Sequence, residues 1–209
     1  FYAVMFVEHG LTPMELSTLI AVWCVTTILL EVPSGVLADH HSRKGILIAG
    51  AAMRAAGYAC WALFPGFWGF CVGFILWGCE GAMGSGAFEA LVYDELKRLG
   101  REHDYARVMG RCRAYGQLGI VIAAVAAAAL VGHGHQFLII VSIIAVILSA
   151  LLLASLPTAP QAPTGAVGWR EYLRTLRAGI NQVVRRPRVR HIVLFSAVTL
   201  SLGGTLEEY

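Results

Sequence analysis

The recurrence of apolar runs about twenty residues long narrows the fold of this chain more than any single motif does. They cover 14–38, 45–64, 67–93, 114–132 and 136–156, with a shorter run at 1–8 and another beginning near 191. A helix rises ~1.5 Å per residue, so ~20 residues cross the ~30 Å hydrocarbon core of a bilayer. In lipid only helices and closed barrels satisfy their own backbone groups. Barrel strands would be about ten residues long and alternate in polarity, and these runs do not alternate. Composition agrees, since 57% of the residues are hydrophobic and 14% charged, against roughly 25% charged in a soluble domain. The expected fold class is an all-α integral membrane protein.

Punctuation places the helix ends. In "GLTPMEL", Thr12 is set to cap the second helix, Pro13 suits its first position and Glu15 completes a T-x-x-E capping box. "PTAPQAPTGAVG" at 157–168 reads as a linker. In the following "WREYLRTLRAGINQVV", Trp169, Tyr172, Leu173, Leu176, Ile180, Val183 and Val184 share one stripe, and the arginines lie off it or at its edge. That is an amphipathic helix suited to a membrane surface. Three regions are therefore expected: a bundle over 1–156 with a truncated first helix, a linker with its surface helix over 157–190, and the start of a seventh helix over 191–209. Because Phe1 opens inside one apolar run and the chain stops inside another, a longer protein is expected.

Topology follows from the basic residues. Of 16 Lys and Arg, two form part of a knot at 43–44, one is Arg54, six lie between 97 and 113, and seven between 170 and 190. The intervening connections at 9–13, 65–66 and 133–135 hold none. Alternation of basic and bare connections is the positive-inside pattern, so the basic ones are expected in the cytoplasm, together with the original N-terminus and the linker. The net charge of +3 is thus topological, and no nucleic acid is expected as a partner. Five scattered cysteines show no C-x-x-C pair or metal-ligand spacing and read as small buried hydrophobes, so no metal or cofactor is expected.

The knot itself is "GVLADHHSRKG", 35–45, between two apolar runs. Asp39 falls at a helix C-terminus, where the dipole disfavours an anion by about 0.3–1 kcal/mol, and Lys44 falls near the next helix start, also with the wrong sign. Such charges should pair with each other, with Arg43, or with the terminus of another helix. His40 and His41 could add pH sensitivity, though solvated bystanders fit as well.

This stretch resembles the loop between helices two and three of the major facilitator superfamily, whose pattern is G-x-x-x-D, a basic residue, x, G and two basic residues. Gly35, Asp39, Arg43 and Lys44 match, His40 takes a position usually basic, and Ser42 stands where the family has Gly. "EVPSG" before it and "GSGAFEALVYDEL" after it are similar to bacterial members. The resemblance implies an MFS-type helical bundle, here the first half of a twelve-helix transporter. It also implies a gating network of Gly35, Asp39, Arg43 and Lys44, aided by an acid at the inner end of helix four, where Asp94 stands. If the Ser42 turn needs positive φ, a non-Gly residue costs about 1 kcal/mol or more.

Ionisable residues at membrane depth cost about 2.5–3.5 kcal/mol on insertion scales and are functional candidates by default. Arg54 and Glu80 fall at matched depth and could pair, and Glu31 is the other candidate partner for Arg54. On one continuous helix Glu80 and Glu89 lie about 900° apart and face opposite ways, whereas Asp94 falls within about 40° of Glu80. Either a solute or proton site at the midplane or a structural ion pair fits these residues, Glu89 included. Gly78, Gly81, Gly84 and Ser85 suit close helix packing. Two departures bear on mechanism. Where proton-coupled members carry R-x-x-Q-G, this chain has Trp77-Gly78-Cys79-Glu80-Gly81, and its fifth helix lacks the Gly-Pro pair of many antiporters.

A secondary active transporter of a small solute, coupled to protons or another ion and surrounded by lipid, is the leading expectation. A non-transporting scaffold or sensor on the same fold is the alternative. An intramembrane serine protease built on Ser85 would need a His within reach, and all seven His fall in loops or at helix ends.

Overall fold

The capping box forms as the sequence predicts. Thr12 N donates to Glu15 Oε2 at 2.8 Å and Glu15 N donates to Thr12 Oγ1 at 3.3 Å, so the second helix starts at Pro13. The computed structural model describes residues 2–40 and 42–156, apart from the side chains of Val32, Val36, Asp39, His40 and Val131. The linker, surface helix and seventh helix expected after 156 lie outside the described residues.

Seven α-helices run through the described residues: α1 (Tyr2–Glu8), α2 (Pro13–His40), α3 (Arg43–Leu63), α4 (Phe67–Gly84), α5 (Ala87–Arg98), α6 (Tyr105–Leu130) and α7 (His135–Ser155). No strand occurs among them. Five stretches are long and apolar enough to cross a bilayer, with α4 and α5 sharing one of them, Phe67–Arg98. Successive spans alternate in direction, α5 continuing the span that α4 begins. The connections at one end, 9–12, 64–66 and 131–134, hold no Lys or Arg; we call it the bare end. The other, basic end carries the α2–α3 and α5–α6 connections.

Three expectations are corrected. The knot is mostly helical, because α2 runs on through His40 and α3 already starts at Arg43. Ser42 adopts φ −56° and caps α3, its Oγ accepting from Gly45 N at 3.2 Å. No positive φ is needed there, so Ser in place of Gly carries no backbone strain. Second, the expected single helix over 67–93 is two helices. Ser85 is extended and Gly86 sits at φ +74°, a conformation that favours glycine. Third, the helix expected from 114 begins at Tyr105. Its first turns, "YARVMGRCR", are mostly good helix formers, and Asp104 at the positive end of the dipole suits a helix start. Asp104 accepts from Arg101 Nη2 at 2.8 Å and from Arg107 Nη1 at 3.1 Å, which holds this turn together.

The main core lies toward the bare end, where Met5 and Phe6 of α1, Leu19 of α2, Trp61 of α3, Phe70 and Phe74 of α4 and Ile139 of α7 are buried together. Phe6 is the hub, with ring centroids 4.1 Å from Phe70 and 5.1 Å from Trp61. Trp61 Nε1 donates to Phe70 O at 3.2 Å, which satisfies the indole in a buried site. Helices associate in lipid through close packing rather than hydrophobic exclusion, and small residues permit it here. A Cβ on Gly73 would lie 2.0 Å from Trp61 Nε1 and 2.9 Å from Gly57 O, and one on Gly78 would lie 2.9 Å from Thr26 Cβ. The expectation for Gly78 holds, whereas a Cβ on Gly84 would meet nothing within 4 Å. Toward the basic end, Ala38, Ile46 and Ala87 form a second, much smaller buried group among the described residues. Along α6 only Met109 is buried, so most of that helix faces outward.

Candidate functional site

Two polar stations lie along α3 and the α4–α5 pair. The first is at mid-span, eleven residues into α3. Arg54 Nη2 donates to Glu80 Oε2 of α4 at 2.5 Å, and the guanidinium carbon lies 5.2 Å from the Trp77 ring centroid. Room for the acid comes from Gly50, one turn before Arg54, since a Cβ there would stand 3.4 Å from Glu80 Cγ. Side-chain exposure is 32% for Arg54 and 24% for Glu80, so the pair is enclosed but not sealed. Unpaired, each charge would bear the full cost of lipid depth; pairing and the ring face offset it. Arg54 Nε and Trp23 Nε1 are both buried with no hydrogen-bond partner among the described residues, and Trp23 lies 6.0 Å from Trp77.

The second station is at the basic end. Arg43, at the start of α3, pairs with Asp94 of α5 and donates to Ala90 O at 3.0 Å. Beside it, Lys44 Nζ donates to Ala154 O at 2.7 Å and to Leu156 O. Those carbonyls end α7 and have no partner within the helix, and the negative pole of the dipole favours the ammonium. Lys44, misplaced for the dipole of its own helix, thus serves the terminus of another. Asp39 occupies the last turn of α2; its side chain lies outside the described residues, as does any pairing it makes. Gly35 and Ala38 of α2 line a cavity of about 220 Å³, with Arg43, Ser85, Gly86, Ala87 and Ala90 as the other walls.

Glu31 does not reach Arg54. It accepts instead from Ser85 Oγ at 3.1 Å, which also occupies the hydroxyl that a serine protease would need. Glu89 lies in the first turn of α5 and makes no hydrogen bond or ion pair with the described residues. The angular reckoning that set Glu89 opposite Glu80, and Asp94 beside it, presumes an unbroken helix and does not survive the break at Ser85–Gly86.

Sequence reading overlooked the polar stripe of α2. Thr27 Oγ1, bonded to Trp23 O of its own helix at 3.0 Å, also lies 3.4 Å from Gly78 O, and Ser34 Oγ donates to Ala82 O at 2.7 Å, with Glu31 between them on the same face. The spacing i, i+4, i+7 was the available signal. Trp77 was noted only for what it replaces, and its role under Arg54 needed the third dimension.

Apolar helices long enough to cross a bilayer, with paired charges at mid-span and at one end, define a multi-pass helical membrane protein. The chain belongs to the Major Facilitator Superfamily, whose family model matches residues 1–208. It is also similar to the inner membrane transport protein YajR of Escherichia coli (strain K12), at 31% identity over 101 residues, 48% of this chain. The matched stretch spans 21% of that relative's length. Family and relative together support membrane transport as the function.

Proposed function

We propose that the chain is part of a secondary active transporter that moves a small solute by alternating access, coupled to protons through the Arg54–Glu80 pair. The observation that carries this reading is the pair itself, held at mid-span in a partly open site. It has one proton-accepting member. When Glu80 takes a proton the pair loses its charge attraction, and Arg54 is released toward another acceptor, a solute group or a carbonyl. Loss of the proton restores the pair. Trp77 stands where the resemblance places an arginine on helix four, and Arg54 of α3 lies over that very ring. The guanidinium is supplied from the neighbouring helix.

Arg43, Lys44 and Asp94, with Gly35 and Asp39 nearby in sequence or space, act in this reading as the gate that closes one side. The basic end is cytoplasmic, the host is the inner membrane, and the partners are lipid, a small solute and the proton. The test uses full-length protein in proteoliposomes loaded with a pH-reporting dye, under an imposed proton gradient, challenged with a panel of sugars, dipeptides and organic ions. At least one solute should trigger proton movement. Glu80→Gln should abolish that movement, and Asp39→Asn should slow solute flux. Absence of flux with every solute would favour the scaffold or sensor reading instead.

A further inference from the structure

Residues 67–98 carry no proline after the start of α4 and read as one helix, yet two residues interrupt it. We infer that the Ser85–Gly86 junction is a hinge with a bent and a straight setting, and that Glu31 is the positioning residue that holds it bent. As a transport device it rests on the reading above, because it lies between the mid-span pair and the gate.

Four observations converge on it. Gly86 sits at φ +74°, and a Cβ there would meet nothing within 4 Å, so backbone conformation rather than space calls for glycine. Glycine adopts the helical conformation as well, which leaves both settings open. Next, the break frees backbone groups, and α2 supplies substitutes. In an unbroken helix Ala82 O would accept from Gly86 N; here Ser34 Oγ donates to it at 2.7 Å. One turn earlier on α2, Glu31 Oε1 accepts from Ser85 Oγ at 3.1 Å, which fixes the extended residue of the junction. Third, the cavity of about 220 Å³ beside the junction is walled mainly by glycine and alanine, giving α5 space to swing. Finally, each side has its own grip, Arg54 on α4 and Arg43 on α5. Straightening therefore moves the gate residues Ala90 and Asp94 relative to Glu80 without requiring the mid-span pair to part.

The experiment measures a distance and needs no substrate. Full-length protein in nanodiscs, with its native cysteines replaced, carries nitroxide labels at Val72 of α4 and Lys97 of α5, both exposed positions. A straight helix would put their backbones roughly 37 Å apart, and the bent setting gives a shorter distance. Wild type should show mainly the shorter population. Gly86→Ala, which disfavours positive φ, should shift the ratio of long to short by about tenfold. Glu31→Ala should move it the same way, and Glu31→Gln, which keeps an acceptor, should restore the wild-type ratio. Ser85→Ala removes the donor without touching a charge and gives the same reading should Glu31→Ala not fold. Retention of the short distance in both Gly86→Ala and Ser85→Ala overturns the hinge. A hinge without solute flux would stand as a structural element and would remove the transport reading; flux across a junction that never straightens would do the reverse.

Discussion

The two ends of this bundle are held together by different physics. Toward the bare end, large rings from three helices interlock with Met5, Leu19 and Ile139, and glycine at 57 and 73 lets α3 and α4 touch backbone to side chain. Toward the basic end the buried apolar group shrinks to three of the described residues, and a few directional links stand out: Arg43 to Asp94, Lys44 to the carbonyls of α7, and Ser34 and Glu31 to the α4–α5 junction. A packed core is bistable at best and resists small displacements. Hydrogen bonds and ion pairs exchange partners at modest net cost. Among the described residues, interlocking packing thus holds one end and exchangeable polar links the other.

Four single variants and one double probe that division, each read as a shift in apparent melting temperature of the purified protein. Gly73→Ala should be the most damaging, by about 3 kcal/mol, because its Cβ has no room beside Trp61 and the backbone of Gly57. A small effect there would mean that the bare end is looser than its ring contacts imply. Arg54→Ala should cost about 2 kcal/mol, below the usual 3–5 for a buried pair because both side chains are partly open. Arg54→Ala with Glu80→Ala should recover part of that loss; a double variant no better than the single would show that Glu80 is not the energetic partner. Ser34→Ala should cost about 1 kcal/mol, the price of one buried carbonyl left without a donor. Ser42→Gly should change stability by only a few tenths of a kcal/mol, as expected when a capping serine yields to glycine. A large stabilisation on Ser42→Gly would instead show that the turn wants positive φ after all.

Much of the fold was legible in the sequence because its two strongest signals are one-dimensional. Run length locates spans, and alternation of basic and bare connections sets their order. Capping at Thr12 and Glu15 is equally local, so it too was readable. The break at Ser85–Gly86 was not, because glycine at 84 and 86 is as compatible with a continuous helix as with a bent one, and the choice depends on donors from α2. The candidate site divides in the same way. Matched depth paired Arg54 with Glu80 correctly in geometry, since both positions can be counted from helix ends. Counting could not tell that Glu31 turns to Ser85, because that contact requires knowing which faces of α2 and α4 meet. Lys44 shows the middle case: its conflict with the dipole of α3 called for a partner, but left open whether that was Asp39, the Arg43 network or the terminus of another helix, and only the fold shows the end of α7.

The two-residue connection between α2 and α3 has a consequence for how the chain is made. With α2 ending at His40 and α3 beginning at Arg43, there is almost no slack between helices of 28 and 21 residues. For the nascent chain to insert, α3 must follow α2 back across the bilayer as one hairpin, with Arg43 and Lys44 at its bend. Neither helix of that pair can change its orientation without carrying the other along.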